Sequence, residues 1–240
     1  EGVMEIEALT KEYGEKRVFS DFSLHIGEGE ILCVLGESGG GKTTLLNILA
    51  GLTPYRGKLT GVPDRVSYIF QEPRLLPNLT VRQNLAYAGG RGEDIDKWLE
   101  RTQLTHCADR RPAELSGGEK QRASFARAFL NPCKLLLMDE PFSSLDTALK
   151  IRLAEAFAGL WKQSEEERTA VFVTHDPEEA LMLADRVVVL RGGRIAADER
   201  VPRTQFPSPY GAPSSLREKL LSVLLGKDGA ETDDGKGERL

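Results

Sequence analysis

Residues 31–51 read ILCVLGESGGGKTTLLNILAG, and this stretch decides the fold. An unbroken apolar run at 31–35 leads into Gly36-Glu37-Ser38-Gly39-Gly40-Gly41-Lys42-Thr43, which matches G-x-x-x-x-G-K-[ST]. A second apolar run follows with helical spacing. A strand that passes through a glycine-rich turn into a helix is the setting in which this pattern binds phosphate. Glycines let the turn curl until its backbone N–H groups point inward, and the helix N-terminus adds partial positive charge at the same place. In such a turn Lys42 reaches the outer phosphates and the Thr43 hydroxyl is a ligand for Mg²⁺.

Working outward, short apolar runs at 4–9, 17–26, 65–70, 134–138, 170–174 and 186–191 read as further strands. Helical patterns lie at 43–49, 81–88, 119–130, 147–163 and 177–184. Their alternation predicts an α/β fold, a mainly parallel sheet covered by helices. Runs such as KLLLM (134–138) and VVVL (187–190) do not alternate, so they predict central strands buried on both faces. Strand-like runs stop between 71 and 115, and DIDKWLERTQL (94–104) spaces its apolar residues as a helix does. A helical lobe, at about 72–130, is therefore expected as an insert in one domain spanning 1–225. The tail, GKDGAETDDGKGERL (226–240), is polar and aperiodic and reads as disordered.

The strand at 134–138 runs directly into Asp139-Glu140-Pro141. Two carboxylates at the end of a buried strand sit at the carboxyl edge of the sheet, where open α/β folds bind ligands. Asp139 suits a role on Mg²⁺, and Glu140 suits a general base that polarises an attacking water.

Composition narrows the partners. The 240 residues carry 32 basic and 37 acidic side chains, a net charge of −5, which disfavours the dense basic face that nucleic acids require. Cys33, Cys107 and Cys133 lack CxxC spacing, which fits a reducing compartment rather than a disulfide frame or a metal site. No run approaches the roughly 20 apolar residues of a membrane span. EGVMEIEALT at the start lacks the basic-then-apolar pattern of a secretory signal.

Leu115-Ser-Gly-Gly-Glu-Lys-Gln-Arg122 precedes a helical run, and Ser116 with two glycines makes a helix cap whose N–H groups are left for an anion. LSGGEKQR followed by LLLMDEP (135–141) resembles the signature and Walker B segments of ABC ATPases. The remaining order is similar too. Tyr13 in KEYG resembles the aromatic that stacks on adenine, and GESGGGKTT (36–44) resembles Walker A through Thr44. Gln71 in IFQEP resembles the Q-loop glutamine, Ser143-Ser144-Leu145-Asp146 the D-loop, and His175 in VTHD the switch histidine.

The resemblance implies a P-loop core with an N-terminal antiparallel β region and the inserted helical lobe. It implies a head-to-tail dimer, homo- or heteromeric, with ATP held between the 36–44 loop of one subunit and Ser116, Gly117, Gly118 and Asp146 of the other. Lys42, Thr43, Gln71 and Mg²⁺ would hold the triphosphate, Glu140 would activate water, and His175 would contact the γ-phosphate. QEPRLLPNLTVRQNL (71–85) and THDPEEALMLADRVVVL (174–190) resemble bacterial importers of the nitrate, sulfonate and taurine group. That implies a transmembrane permease, a groove for it near Leu75, Leu76 and Leu79, and indirect service to an extracytoplasmic solute-binding protein. It also implies a cytoplasmic subunit, peripheral on the inner face of the membrane. Two alternatives belong to other classes: an export or lipoprotein-extrusion ATPase, and an ATPase acting on nucleic acid or ribosomes. The 42–71 interval is shorter than in many relatives, which predicts a trimmed antiparallel region, and the stretch after Arg194 is short for a regulatory barrel.

Overall fold

Apolar residues without alternation have to be sheltered on both sides, and the computed structural model, which describes residues 3–143, 145–163 and 167–227, shelters them in the middle of a sheet. In chain order the strands are β1 (Met4–Tyr13), β2 (Lys16–Ile26), β3 (Ile31–Gly36), β4 (Arg56–Thr60), β5 (Val66–Ile69), β6 (Leu135–Asp139), β7 (Thr169–Thr174), β8 (Arg186–Arg191) and β9 (Arg194–Arg200). The helices are α1 (Lys42–Leu49), α2 (Val81–Tyr87), α3 (Gly92–Arg101), α4 (Gly117–Leu130), α5 (Thr147–Gln163), α6 (Pro177–Leu183) and α7 (Ser215–Leu224).

The larger sheet has the order β5-β6-β7-β3-β8-β9, parallel except for β9 at one edge. Each central strand divides its side chains between two cores. Ile31, Cys33 and Leu35 of β3 join Ala170 and Phe172 of β7 beneath the helices, while Leu32, Val34, Val171 and Val173 face α1 and the N-terminal strands. The fold is thus a mainly parallel α/β core with a separate antiparallel sheet, order β2-β1-β4, packed on its second face.

Between β5 and β6 the chain is helical: α2, α3, two short 3-10 turns at Thr105–Cys107 and Pro112–Glu114, and α4. Aromatic rings tie this part to the rest. Trp98 of α3 stacks on Phe129 of α4 with centroids 5.3 Å apart, and Phe129 meets Phe157 of α5 edge-on at 5.4 Å. Phe157 is fully buried and stacks in turn on Trp161 at 5.2 Å.

α3 is the helix that the spacing of DIDKWLERTQL predicted, whereas three elements lack a signal in the apolar pattern. β4 is mostly exposed, yet pairs with β1 from Glu5↔Thr60 to Thr10↔Arg56, so the antiparallel region keeps a third strand despite the short interval. β9 is an edge strand with only partly buried alternate residues, and α7 is a short helix whose buried side chains are Leu220 and Val223. Gly226 and Lys227, read as the start of a disordered tail, donate backbone bonds to Val223 and Ser222 at the end of α7. The rest of that tail, residues 228–240, and Ser144 lie outside the described residues.

α4 begins with a complete capping box. The Ser116 hydroxyl accepts from Glu119 N at 3.3 Å, and the Glu119 carboxylate accepts from Ser116 N at 2.7 Å and from His106 Nε2 at 2.9 Å. These bonds, the backbone one foremost, pull the Glu119 carboxyl down to about 2. A carboxyl lowered on folding contributes stability above its unfolded value, and that contribution fades as pH falls toward the folded one.

Replacing Phe157 by Ala is expected to cost about 3–5 kcal/mol, read from urea unfolding monitored by tryptophan fluorescence. The stability gap between wild type and Glu119→Gln should be constant near neutrality and close between pH about 4.5 and about 2, followed by thermal unfolding across that range.

Candidate active site

The turn between β3 and α1 is shaped by backbone that only glycine tolerates well. Gly39 and Gly41 have φ of 77° and 99°. A Cβ on Gly41 would lie 2.7 Å from Val18 Cγ1, so strand β2 closes that side of the turn. Gly41 caps α1 without a side-chain acceptor, which leaves the first N–H groups of the helix directed at the turn. Lys42 folds back across it. Its ammonium donates to the Gly36 carbonyl at 2.7 Å and the Glu37 carbonyl at 2.9 Å. A lysine has three donors, so one remains for an incoming anion. Glu37 takes part through its backbone, its carbonyl also accepting from Gly40 N at 3.2 Å.

Beside this turn opens a cavity of about 300 Å³, lined by Tyr13, Lys16, Val18, Ser38, Gly39, Gly41, Lys42, Thr43, Thr44, Gln71 and Glu140. Parts of the chain far apart in sequence meet there because β3, β5 and β6 end at the same edge of one parallel sheet. Gln71 follows β5 and is exposed at the cavity. Tyr13 closes β1 and is half exposed. The hydroxyl of Thr53, then that of Thr44, lowers the phenol of Tyr13, and Lys11 Nζ lies 4.5 Å from its ring centre.

The acidic strand end sits on the cavity's inner side. Asp139, 3% exposed, accepts a hydrogen bond from the Thr43 hydroxyl at 3.2 Å. Burial pushes its carboxyl above the ordinary value, against the pull of Thr43. Glu140 occupies left-handed backbone, φ 45°, an uncommon conformation for a residue other than glycine, and donates its N–H to Val173 O at 3.0 Å. Its carboxylate lies 3.9 Å from Lys42 Nζ through one oxygen and 3.2 Å from His175 Nδ1 through the other. Burial lowers the Lys42 ammonium, while Glu140 and Asp139 draw it back up.

Tyr13, the 36–44 loop, Gln71, Asp139, Glu140 and His175 thus converge, whereas Ser116, Gly117, Gly118 and Asp146 are absent from the lining. Asp146 instead accepts from Leu149 N at 3.0 Å at the start of α5. The Ser116 N–H, expected to be left for an anion, is taken by Glu119 in the capping box, so the donors of that segment are those of Gly117 and Gly118. Lys16 and Val18 were not legible as site residues. They belong to no phosphate motif and reach the cavity only because β2 pairs beside Tyr13.

The family model described as ABC transporter matches residues 19–143 of the 240. The aliphatic sulfonates import ATP-binding protein SsuB of Granulibacter bethesdensis is 45% identical, the match covering 92% of this chain and 94% of that protein. A second aliphatic sulfonates import ATP-binding protein, from Pseudomonas fluorescens, is 40% identical over 96% of this chain and 88% of its own length. Among solved structures, a dimeric ATP-binding cassette in a post-hydrolysis state bound to ADP and Pi is similar with a TM-score of 0.72 and 27% identity, covering 83% of this chain and 99% of that one. Relatives matched over nearly their whole length, on a fold that gathers the phosphate turn and the acidic strand end at one edge, leave a single conclusion: the chain belongs to the ABC transporter family, as an ATP-binding, ATP-hydrolysing subunit of the importer kind.

Proposed function

We infer that ATP is hydrolysed in the cavity beside the 36–44 loop, and that this drives import of aliphatic sulfonates through a separate membrane permease. The observation that carries the site is the Glu140 carboxylate, set between Lys42 and His175 at the cavity wall. The solute class rests on the names of relatives 40–45% identical over most of the chain.

In this reading Tyr13 stacks on adenine, and Ser38, Gly39, Gly40, Gly41 and Thr44 surround the phosphates with N–H and hydroxyl donors. Lys42 turns its remaining donor to the outer phosphates. Thr43, Asp139 and Gln71 are the residues that would hold Mg²⁺. Their donors are all oxygen, as a hard cation prefers, and a buried carboxylate already tied to the Thr43 hydroxyl suits one. When bound, the ion neutralises charge on the β- and γ-phosphate oxygens. Glu140 accepts a proton from the attacking water, and His175, in contact with Glu140, orients that carboxylate and meets the γ-phosphate. Catalysis is then positioning and electrostatics at a largely preformed site.

The N–H groups of Gly117 and Gly118, with Ser116 and Asp146, face outward for a second ATP-binding subunit, a partnership supported by the dimeric relative. The permease meets the segment after Gln71. There the buried Asn84 side chain accepts from Leu76 N at 2.8 Å and donates to the Leu76, Leu79 and Thr80 carbonyls, which fixes an otherwise irregular loop. Leu75 packs partly on the core, while Leu76 and Leu79 are partly exposed. Among the described residues no helix is long and apolar enough to cross a membrane, which agrees with a peripheral place on the permease at the inner membrane face. The solute-binding protein is then reached only through the permease.

Glu140→Gln is expected to slow ATP turnover by about 10²–10⁴-fold while ATP binding persists, measured by phosphate release and by gel filtration of the ATP-loaded protein as a dimer. Wild-type turnover would remove Glu140 from its role. Vesicles containing this chain, its copurifying permease and a solute-binding protein should accumulate a labelled alkanesulfonate only with internal ATP. Uptake of a different solute class would overturn the sulfonate assignment.

A further inference from the structure

A second charged cluster lies behind the cavity, and the reading above makes no use of it. Lys150, in the first turns of α5, has a side chain 14% exposed. Its ammonium lies 2.6 Å from Glu179 Oε1 and 3.3 Å from Asp176 Oδ2. Glu179 is 2% exposed, and its other oxygen accepts from the Thr174 hydroxyl at 2.5 Å. That hydroxyl oxygen accepts from Asp176 N at 3.1 Å. His175 stands between Thr174 and Asp176, so both of its chain neighbours are tied, Thr174 by way of Glu179, to one partly buried lysine.

Further bonds lie between this cluster and the site. Glu140 O accepts from Ser143 N at 3.2 Å, and Asp146 O accepts from Lys150 N at 2.9 Å. Lys150 then leads through Asp176 and Glu179 to the backbone around His175, whose Nδ1 returns to Glu140 at 3.2 Å. The His175 side chain is itself 55% exposed and gains little restraint from packing. Burying a cation with carboxylates commonly costs as much desolvation as the attraction returns, so a cluster of this kind is a poor source of stability. What it supplies is a fixed geometry for the residues it joins.

We propose that Lys150 is a positioning residue for the hydrolytic reaction: it locks the 174–176 backbone to the start of α5, so that His175 meets Glu140 in one geometry and that geometry follows any movement of Asp146. The inference rests on the roles proposed above for His175 and Glu140. It assigns to α5 the job of carrying the state of the surface around Asp146, where a second subunit is proposed to sit, to the histidine at the reacting phosphate. Asp176 contributes on a second side, since its Oδ2 also accepts from the Tyr210 hydroxyl at 3.3 Å while its Oδ1 caps α6 through Glu178 N at 2.9 Å.

The test is a double-mutant cycle on ATP turnover by the full chain. Lys150→Met should lower kcat by up to about a hundredfold, the scale expected when a reacting group is held slightly out of place, with KM for ATP little changed. Lys150→Arg should restore most of the loss. In a His175→Ala background Lys150→Met should add nothing, because residues acting as one unit are not additive. Additive losses alongside an impaired His175→Ala protein overturn this inference alone, as does a wild-type rate in Lys150→Met. A wild-type rate in His175→Ala sinks the histidine's role and the inference with it. If Lys150→Met shows no cooperative unfolding transition, Asp176→Asn keeps an oxygen for the α6 cap while removing the charge. The same cycle then applies, and additivity there is equally fatal.

Discussion

Every residue of β3 is shielded from water, with Ile31, Cys33 and Leu35 in one core and Leu32 and Val34 in the other. A strand buried on both faces cannot slip by one residue without exchanging its two sets of contacts. Its end is therefore a fixed point, and the glycine turn that leaves it has no freedom to wander. The turn's own closure, Lys42 bonded to the Gly36 and Glu37 carbonyls, then defines where the cavity opens. Because β5 and β6 run parallel in the same sheet, Gln71 and the Asp139–Glu140 pair are delivered to that same edge.

Charge is concentrated there in a way that stability alone would not select. Lys42, Asp139 and Glu140 are all largely withdrawn from solvent, and burial disfavours the charged form of both lysine and aspartate. Glu140 also holds a left-handed backbone. Both features carry a free-energy cost that the surrounding apolar layers have to offset, and strain and buried charge of this kind collect at functional sites. The Lys150 cluster extends the pattern one layer outward, where charge again serves geometry.

The parts legible in the sequence were those in which local chemistry and tertiary fate coincide. KLLLM and VVVL needed two dry faces and received them in β6 and β8. β4 and β9 were not legible, since edge strands with solvated side chains carry no apolar pattern; their backbone pairing alone makes them strands. The Ser116 segment shows the same limit differently. Ser with Glu three residues later marks a helix start, but which N–H groups that box consumes is a matter of geometry, and it takes the one at Ser116.

By itself the sequence determined the phosphate turn, the buried strands beside it, the acidic pair at the end of β6 and the family these motifs resemble. Each depends on residues close together in the chain, where spacing alone sets the chemistry. Only the tertiary structure decided that Lys16 and Val18 line the cavity, that His175 touches Glu140, and that Lys150 braces the histidine from α5. Those contacts join segments that are not neighbours in the chain, Lys150 and Glu179 lying 29 residues apart. They exist because strand pairing, parallel and antiparallel, and the packing of α5 bring these segments together, and no local pattern records which partner the register will supply.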